Sequence, residues 1–194
     1  KKGDRVKVIF TSESEKARNI NNLNKAKKKS KSRKEVAKNV SKLLKFDEPI
    51  FLNFNNLSLT REDVTIMNGQ LREIIQTFRP STIYTHSPND IHHDHRKTFE
   101  ATIIASQLLK NLTINKILTF EIPGSSTIDS HNSFYPNYFI NIEDEIKSKL
   151  KILKKYQNEM KKYPHQRSLI GVYNLSIYRG NMINLNYAEA FNLI

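Results

Sequence analysis

Hydrophobic positions along the chain follow two spacings, which together predict alternating strands and helices. Short apolar runs bounded by polar residues indicate strands, which we predict at residues 5–10, 50–54, 82–85, 116–122 and 138–142. Apolar residues three or four positions apart indicate helices, which we predict at residues 32–44, 68–78, 94–108, 143–163 and 164–178. This order favours an α/β fold with a largely parallel sheet. Because no repeat or linker interrupts it, we expect one domain over residues 1–194.

The net charge of +13 is concentrated in two segments of the chain. Residues 25–34 form a lysine-rich run, and residues 147–162 form a second basic region with helical spacing. Such charge is typical of a solvated surface, and it also suits a nucleic acid, an acidic membrane surface or an anionic substrate. No aromatic residues are interleaved with the lysines as stacking platforms. We therefore expect no specific nucleic-acid partner, and the oligomeric state stays open.

The chain contains no cysteine, which excludes a disulfide framework and thiolate metal ligands. Any zinc must then be held by imidazole and carboxylate groups. No stretch approaches the roughly 20 apolar residues of a membrane-spanning helix, and the first residues do not resemble a signal peptide. We expect a cytoplasmic protein without a membrane span.

Three histidines and two aspartates fall within residues 90–95, the densest group of chemically active side chains in the sequence. The segment lies between the predicted strand 82–85 and the following helix, at the end of a parallel sheet where ligands bind. His92 and His95 are one helical turn apart and can face one pocket, as zinc ligands would. Asp94 can orient an imidazole through its second nitrogen. The alternative is a polar loop whose histidines cap a helix or contact solvent.

Residues 92–95 read His-His-Asp-His, which resembles the His-Pro-Asp-His signature of the PIG-L or LmbE-like zinc-dependent N-acetylglucosaminyl deacetylases. His93 stands at the place of the proline, and Asp90 matches the aspartate that usually precedes the signature. Weaker likenesses follow in the family's order over nearly the whole chain, at residues 3–11, 33–44, 79–88, 120–139 and 187–191.

The resemblance implies a Rossmann-like sheet flanked by helices and a Zn²⁺-dependent hydrolase. Its substrate would be a small N-acetylglucosamine-type sugar or sugar conjugate, which loses its N-acetyl group. By the family pattern His95 is a zinc ligand, and His92 is the acid or oxyanion-stabilising group paired with Asp94. The residues expected to bind substrate are Arg33, Glu35, Asp90 and Asn132.

One departure from the family limits this reading. The first signature of the family, Ala-His-Pro-Asp-Asp, supplies the other two zinc ligands and the catalytic base, and the sequence does not contain it. The chain starts where the family's second strand starts, so the resemblance implies that the first strand and first helix are missing. The chain is then a truncated part of an active enzyme, which the intact second signature favours, or an inactive protein. A basic nucleic-acid-associated protein and a non-catalytic sugar-binding protein are the alternative functions.

Overall fold

The structure is a computed structural model that describes residues 3–13, 15, 21–107, 114–126 and 134–194. The strands of this part are β1 Ile9–Glu13, β2 Ile50–Asn55, β3 Thr82–His86, β4 Lys116–Phe120, β5 Tyr138–Asn141 and β6 Ala188–Leu193. The α-helices are α1 Leu23–Leu44, α2 Arg61–Phe78, α3 His93–Gln107, α4 Ile146–Leu153 and α5 Leu169–Asn181, and a short 3-10 helix, Lys154–Tyr156, follows α4. None of the described helices is both long and apolar enough to cross a membrane.

The strands form two hydrogen-bonded groups. Strands β1 and β2 pair in parallel, with Ile9 opposite Ile50. The other four strands have the order β3-β4-β6-β5, in which β3 and β4 are parallel and β6 runs antiparallel to both of its neighbours. The α/β class with parallel strands flanked by helices is therefore confirmed.

One hydrophobic core supports both groups of strands. Its buried side chains come from α2, from α3 and from the loop before α2, and they are Leu59, Val64, Met67, Leu71, Ile75, Ala101 and Ala105. Ile9 of β1, Leu52 of β2 and Ile83 of β3 pack against this cluster. Because β1 and β3 contact the same helices, the two strand groups belong to one folding unit.

Two helices begin earlier than predicted, because polar caps precede their apolar residues. At α1 the side chain of Asn22 accepts a hydrogen bond from the Lys25 N–H at 2.9 Å, and lysine is a good helix former. At α2, Thr60 and Asp63 form a capping box, in which each side chain accepts from the other residue's N–H. Such a box satisfies two N–H groups that the helix itself leaves unpaired.

The C-terminal third differs most from the prediction. The helix predicted at 143–163 is wrong in length, because α4 ends at Leu153 and only the short 3-10 helix continues it. The next helix starts at Leu169, where the Ser168 side chain accepts from the Gly171 N–H at 2.9 Å. Strand β6 was not predicted as a strand. It lies between β4 and β5, and its residues Ala188, Ala190 and Phe191 are buried.

Replacing Met67 by alanine should lower the free energy of unfolding by about 2–5 kcal/mol, because it leaves a cavity in the shared core. Met67 is 0 % exposed, whereas its neighbour Ile66 is 49 % exposed on the same helix. The matched variant Ile66→Ala should change the free energy of unfolding by no more than about 0.5 kcal/mol. Urea unfolding of both variants measures the difference, and equal effects would contradict this core assignment.

Candidate functional site

Three histidines stack against one another where β3 ends and α3 begins. The rings of His86 and His95 lie 4.6 Å apart between centroids, and those of His92 and His95 lie 4.3 Å apart. His86 also contacts Phe120, the last residue of the parallel neighbour β4, at 5.0 Å. We call His86, His92 and His95 the histidine cluster. It lies at the carboxyl ends of two parallel strands, where α/β proteins bind their ligands.

Asp90 anchors the cluster and is 1 % exposed. Its Oδ2 accepts hydrogen bonds from the hydroxyls of Ser125 at 2.8 Å and Ser126 at 2.7 Å. Its Oδ1 accepts from the His92 N–H at 2.8 Å and lies 3.1 Å from Nδ1 of His95. The carboxylate therefore joins the loop after β3 and the start of α3 to the turn after β4.

The protonation of Asp90 follows from these contacts. Burial raises the pKa of the carboxyl group, but the hydrogen bonds from His95, the His92 N–H and the two serines outweigh burial. The net pKa of Asp90 is well below its usual range, so the group is ionised at neutral pH. Hydrogen bonds to the charged form have this effect in general.

Asp94 holds a different part of the site. It is 2 % exposed, and its Oδ2 accepts from the Leu57 N–H at 2.6 Å, which ties the loop after β2 to α3. No hydrogen bond joins Asp94 to His92 among the described contacts. Burial and the neighbouring His95 lower the pKa of His92. These effects outweigh the negative charge of Asp94, which raises the pKa.

His86 is the most strongly shifted member of the cluster. Burial lowers its pKa to about 3, with a further contribution from His95, while the charge of Asp90 acts in the opposite direction. His86 is therefore neutral at neutral pH, and the lowered pKa of His92 favours the same form. His86 and His92 therefore present neutral imidazoles, the form that binds a metal or accepts a proton.

Buried polar atoms of the site without a hydrogen-bond partner include Nδ1 of His86, Nδ1 of His92 and Oδ1 of Asp94. Nδ1 of His95 has only the contact with Oδ1 of Asp90 at 3.1 Å. Imidazole nitrogen and carboxylate oxygen are suitable zinc donors, and the contact between Asp90 and His95 resembles the carboxylate that orients a metal-binding imidazole. Within the described residues, however, no group of three or more histidine, cysteine, aspartate or glutamate side chains is arranged to hold a metal ion. These residues alone therefore do not complete a zinc site.

The residues predicted to bind substrate are separated in the structure. Arg33 lines a cavity of about 70 Å³ together with Phe10, Phe51 and Tyr156, and its guanidinium pairs with Glu15 at 3.1 Å and Glu159 at 3.3 Å.

Glu35 is exposed and does not line this cavity. Asn132 lies outside the described residues, and Asp90 is in the histidine cluster as described above. Ser12, which also lines the cavity, donates a hydrogen bond to Asn56, the neighbour of Leu57. Because the Leu57 N–H bonds Asp94 at the start of α3, the loop after β2 links the cavity to the segment that carries the cluster.

Sequence reasoning missed several residues of the site. Ser125 and Ser126 carry no motif, and only the turn sequence around Gly124 marks the segment. His86 lies outside residues 90–95, the segment that the sequence singles out, yet its ring stacks on that of His95. The roles predicted for His92, Asp94 and His95 stay predictions, because their geometry alone does not assign them.

Comparison with known proteins identifies one matching family model, described as PIG-L, GlcNAc-PI de-N-acetylase, over residues 1–106. No curated protein matches the chain. An N,N'-diacetylchitobiose deacetylase from Pyrococcus horikoshii is 17 % identical with a TM-score of 0.72, and the match covers 99 % of this chain and 73 % of that one.

Two further solved structures are similar. The 4-carboxy-2-hydroxymuconate hydratase GalB from Pseudomonas putida KT2440 is 15 % identical with a TM-score of 0.75, covering 98 % of this chain and 84 % of that one. The zinc-inhibited form of the teicoplanin deacetylase Orf2 is 12 % identical with a TM-score of 0.63, covering 97 % and 98 %. Likeness at this identity shows the fold, and the same fold serves deacetylases and a hydratase.

Replacing Asp90 by alanine should lower the free energy of unfolding by about 3 kcal/mol, because it leaves both serine hydroxyls and the His92 N–H without their acceptor. Asp90→Asn keeps one acceptor oxygen and should cost roughly half as much. The exposed Asp4→Ala is the matched control and should have almost no effect. Chemical unfolding at neutral pH tests the order, and equal stability of the Asp90 and Asp4 variants would disprove the anchoring role.

Proposed function

Because the chain belongs to the PIG-L family, described as GlcNAc-PI de-N-acetylases, we propose that it is part of a hydrolase that removes the N-acetyl group from an N-acetylglucosamine-type sugar or sugar conjugate. The observation that carries this proposal is the histidine cluster anchored on Asp90 at the carboxyl ends of β3 and β4. The cluster is the part of the matched segment that can move protons.

Amide hydrolysis needs a group that accepts a proton from the attacking water and a group that protonates the departing amine. His92 suits the second task, because its Nδ1 has no partner and can carry a proton toward the departing amine. The resemblance assigns the first task to a carboxylate of the family's first signature. Ionised Asp90 lies beside Nδ1 of His95 and fixes that ring. In this proposal the aspartate holds the geometry, and His92 transfers the proton.

We propose that Zn²⁺ is the cofactor and that His95 is the ligand supplied by this chain. Support comes from the donor chemistry of the cluster and from the carboxylate that lies beside the His95 ring. Since the described residues do not form a group of three ligands, this proposal takes the remaining ligands from residues outside the described part or from a segment with the family's first signature.

We further propose that the chain is a single domain truncated at its N-terminus relative to the family. In the described part β1 pairs with β2 and β3 pairs with β4, while no pairing links β1 to β3. Both strands nevertheless pack on the same core through Ile9 and Ile83. A parallel strand placed between them would end beside the histidine cluster, which is where a first metal signature is needed.

The 194-residue chain should therefore retain close to no zinc after dialysis against a weak chelator, as measured by elemental analysis. Joining an upstream segment that carries the Ala-His-Pro-Asp-Asp signature should raise the zinc content to about one per chain, because it adds an imidazole and a carboxylate ligand. A full equivalent of zinc on the 194-residue chain alone would contradict the proposed incompleteness.

In the zinc-retaining form, His95→Ala should abolish metal retention, whereas His92→Ala should keep the metal and lower turnover by about 10²- to 10⁴-fold, the usual contribution of a general acid–base. Turnover is measured as acetate released from N-acetylglucosamine conjugates. His93→Ala is the matched control, because the His93 ring bonds the Leu59 carbonyl instead of joining the cluster. Normal zinc content in the His95 variant, or normal turnover in the His92 variant, would refute the corresponding role.

A further inference from the structure

Helix α1 carries a continuous lysine surface. At about 100° per residue, its exposed lysines fall within an arc of roughly 200°, centred opposite the buried residues Ala26, Ser30, Ala37 and Val40. We call this arc the basic face, and its members are Lys25, Lys27, Lys28, Lys29, Lys31, Lys38 and Lys42. The helix is about 33 Å long at 1.5 Å per residue, so the face is both broad and long.

Few acidic groups neutralise the basic face. Glu35 is the single acidic residue of α1, and Glu48 pairs with Lys38 at 2.7 Å near the C-terminal end of the helix. The N-terminal half, residues 23–34, contains no acidic residue at all. Lys34 is not counted in the basic face, because its Nζ donates a hydrogen bond to Oδ1 of Asn53 at 2.6 Å.

The position of these lysines opposes local helix stability. The N-terminus of a helix carries partial positive charge, which favours acidic side chains in the first turn. Helix α1 has none there, and Lys25 is one of several lysines in its first two turns. Departures from such local rules are expected at functional sites.

The 3-10 helix that follows α4 extends the positive surface. It packs against α1, and Arg33 of α1 is paired with Glu159 just beyond it at 3.3 Å. Its residues Lys154 and Lys155 are exposed. Of the second basic segment, it is this 3-10 helix that lies beside α1 and extends the basic face.

The residue types favour a lipid surface over a nucleic acid. Bidentate recognition and base stacking in nucleic-acid complexes rely on the planar guanidinium of arginine and on aromatic side chains. The one arginine of α1 is Arg33, which is paired with Glu15 and Glu159, and the helix contains no aromatic residue. Lysine clusters on a helix face, which act as mobile point charges, are typical of binding to anionic phospholipids.

We propose that the basic face of α1 docks the protein on an anionic membrane surface, with the helix lying along the plane of the phosphate groups. Leu43, which is 55 % exposed and lies on the same side of α1 as Lys25, adds an apolar contact with the interface. This surface role is independent of the proposed hydrolase activity. Its failure would leave the histidine cluster unaffected.

The test is flotation of the full chain with vesicles of phosphatidylcholine alone and with vesicles of phosphatidylcholine and phosphatidylserine in equal amounts. Binding is expected only to the anionic vesicles, and it should weaken steeply as salt rises, because the attraction falls off within a Debye length. Equal binding to both vesicle types would overturn the proposal, since charge would then play no part.

The decisive variant is Lys28→Glu/Lys31→Glu, which should weaken partitioning by at least about 20-fold at a contribution of roughly fivefold per lysine. Lys147→Glu/Lys151→Glu on α4 is the matched control, because both pairs are exposed, one turn apart and equal in charge change. It should bind nearly as tightly as the unaltered chain. Equal loss in both variants would refute docking through α1.

Two further measurements complete the test. Lys28→Gln/Lys31→Gln removes charge without adding repulsion, and it should also weaken binding if the helix content seen by circular dichroism is unchanged. A labelled DNA duplex serves as the competing partner. Tight DNA binding that depends on Lys28 and Lys31, together with no vesicle binding, would replace the membrane by a nucleic acid and overturn the proposal.

Discussion

A buried carboxylate determines how this site is built. Burying an unpaired charge is costly, so the fold must bring donors to it. Asp90 receives donors from the turn after β4 and from the start of α3. These segments are distant in sequence, and the aspartate fixes where they meet. The stacking of His95 between His86 and His92 then follows from the place of the His95 ring beside Asp90.

The helices, rather than strand pairing, hold the two halves of the molecule together in its described part. Helices α2 and α3 pack against each other and contribute most of the buried core, on which Ile9 of β1 and Ile83 of β3 both rest. The bond from the Leu57 N–H to Asp94 adds a polar link between the halves, close to the cluster. The geometry of the site therefore depends on helix packing as much as on the sheet.

Most helices and strands and the location of the histidine cluster could be predicted from the sequence. The remaining features depend on contacts that one sequence does not show. Apolar periodicity located most helices and strands, and the high density of histidine and aspartate in residues 90–95 located the cluster. Periodicity missed the first turns of α1 and α2, because Asn22 and Thr60 start them through hydrogen bonds and not through apolar spacing. It also missed β6, whose identity as a strand depends on β4 and β5 on either side.

The partners of Asp90 illustrate the same limit within the site. Ser125 and Ser126 are ordinary serines in the sequence, and only the pairing of β4 beside β3 brings them to the carboxylate. Arg33 and Glu35 are two positions apart on α1, so their side chains lie on different faces of the helix. Arg33 lines a cavity, and Glu35 is exposed to solvent.

The separation of β1 from β3 has a consequence for how the protein behaves in solution. A strand edge without a partner presents a row of N–H and C=O groups that another extended chain can join. Within the described residues β1 and β3 each leave one such edge unpaired, and both strands rest on the same core. An extended segment that pairs with these edges would lower the tendency of copies of the protein to associate through them.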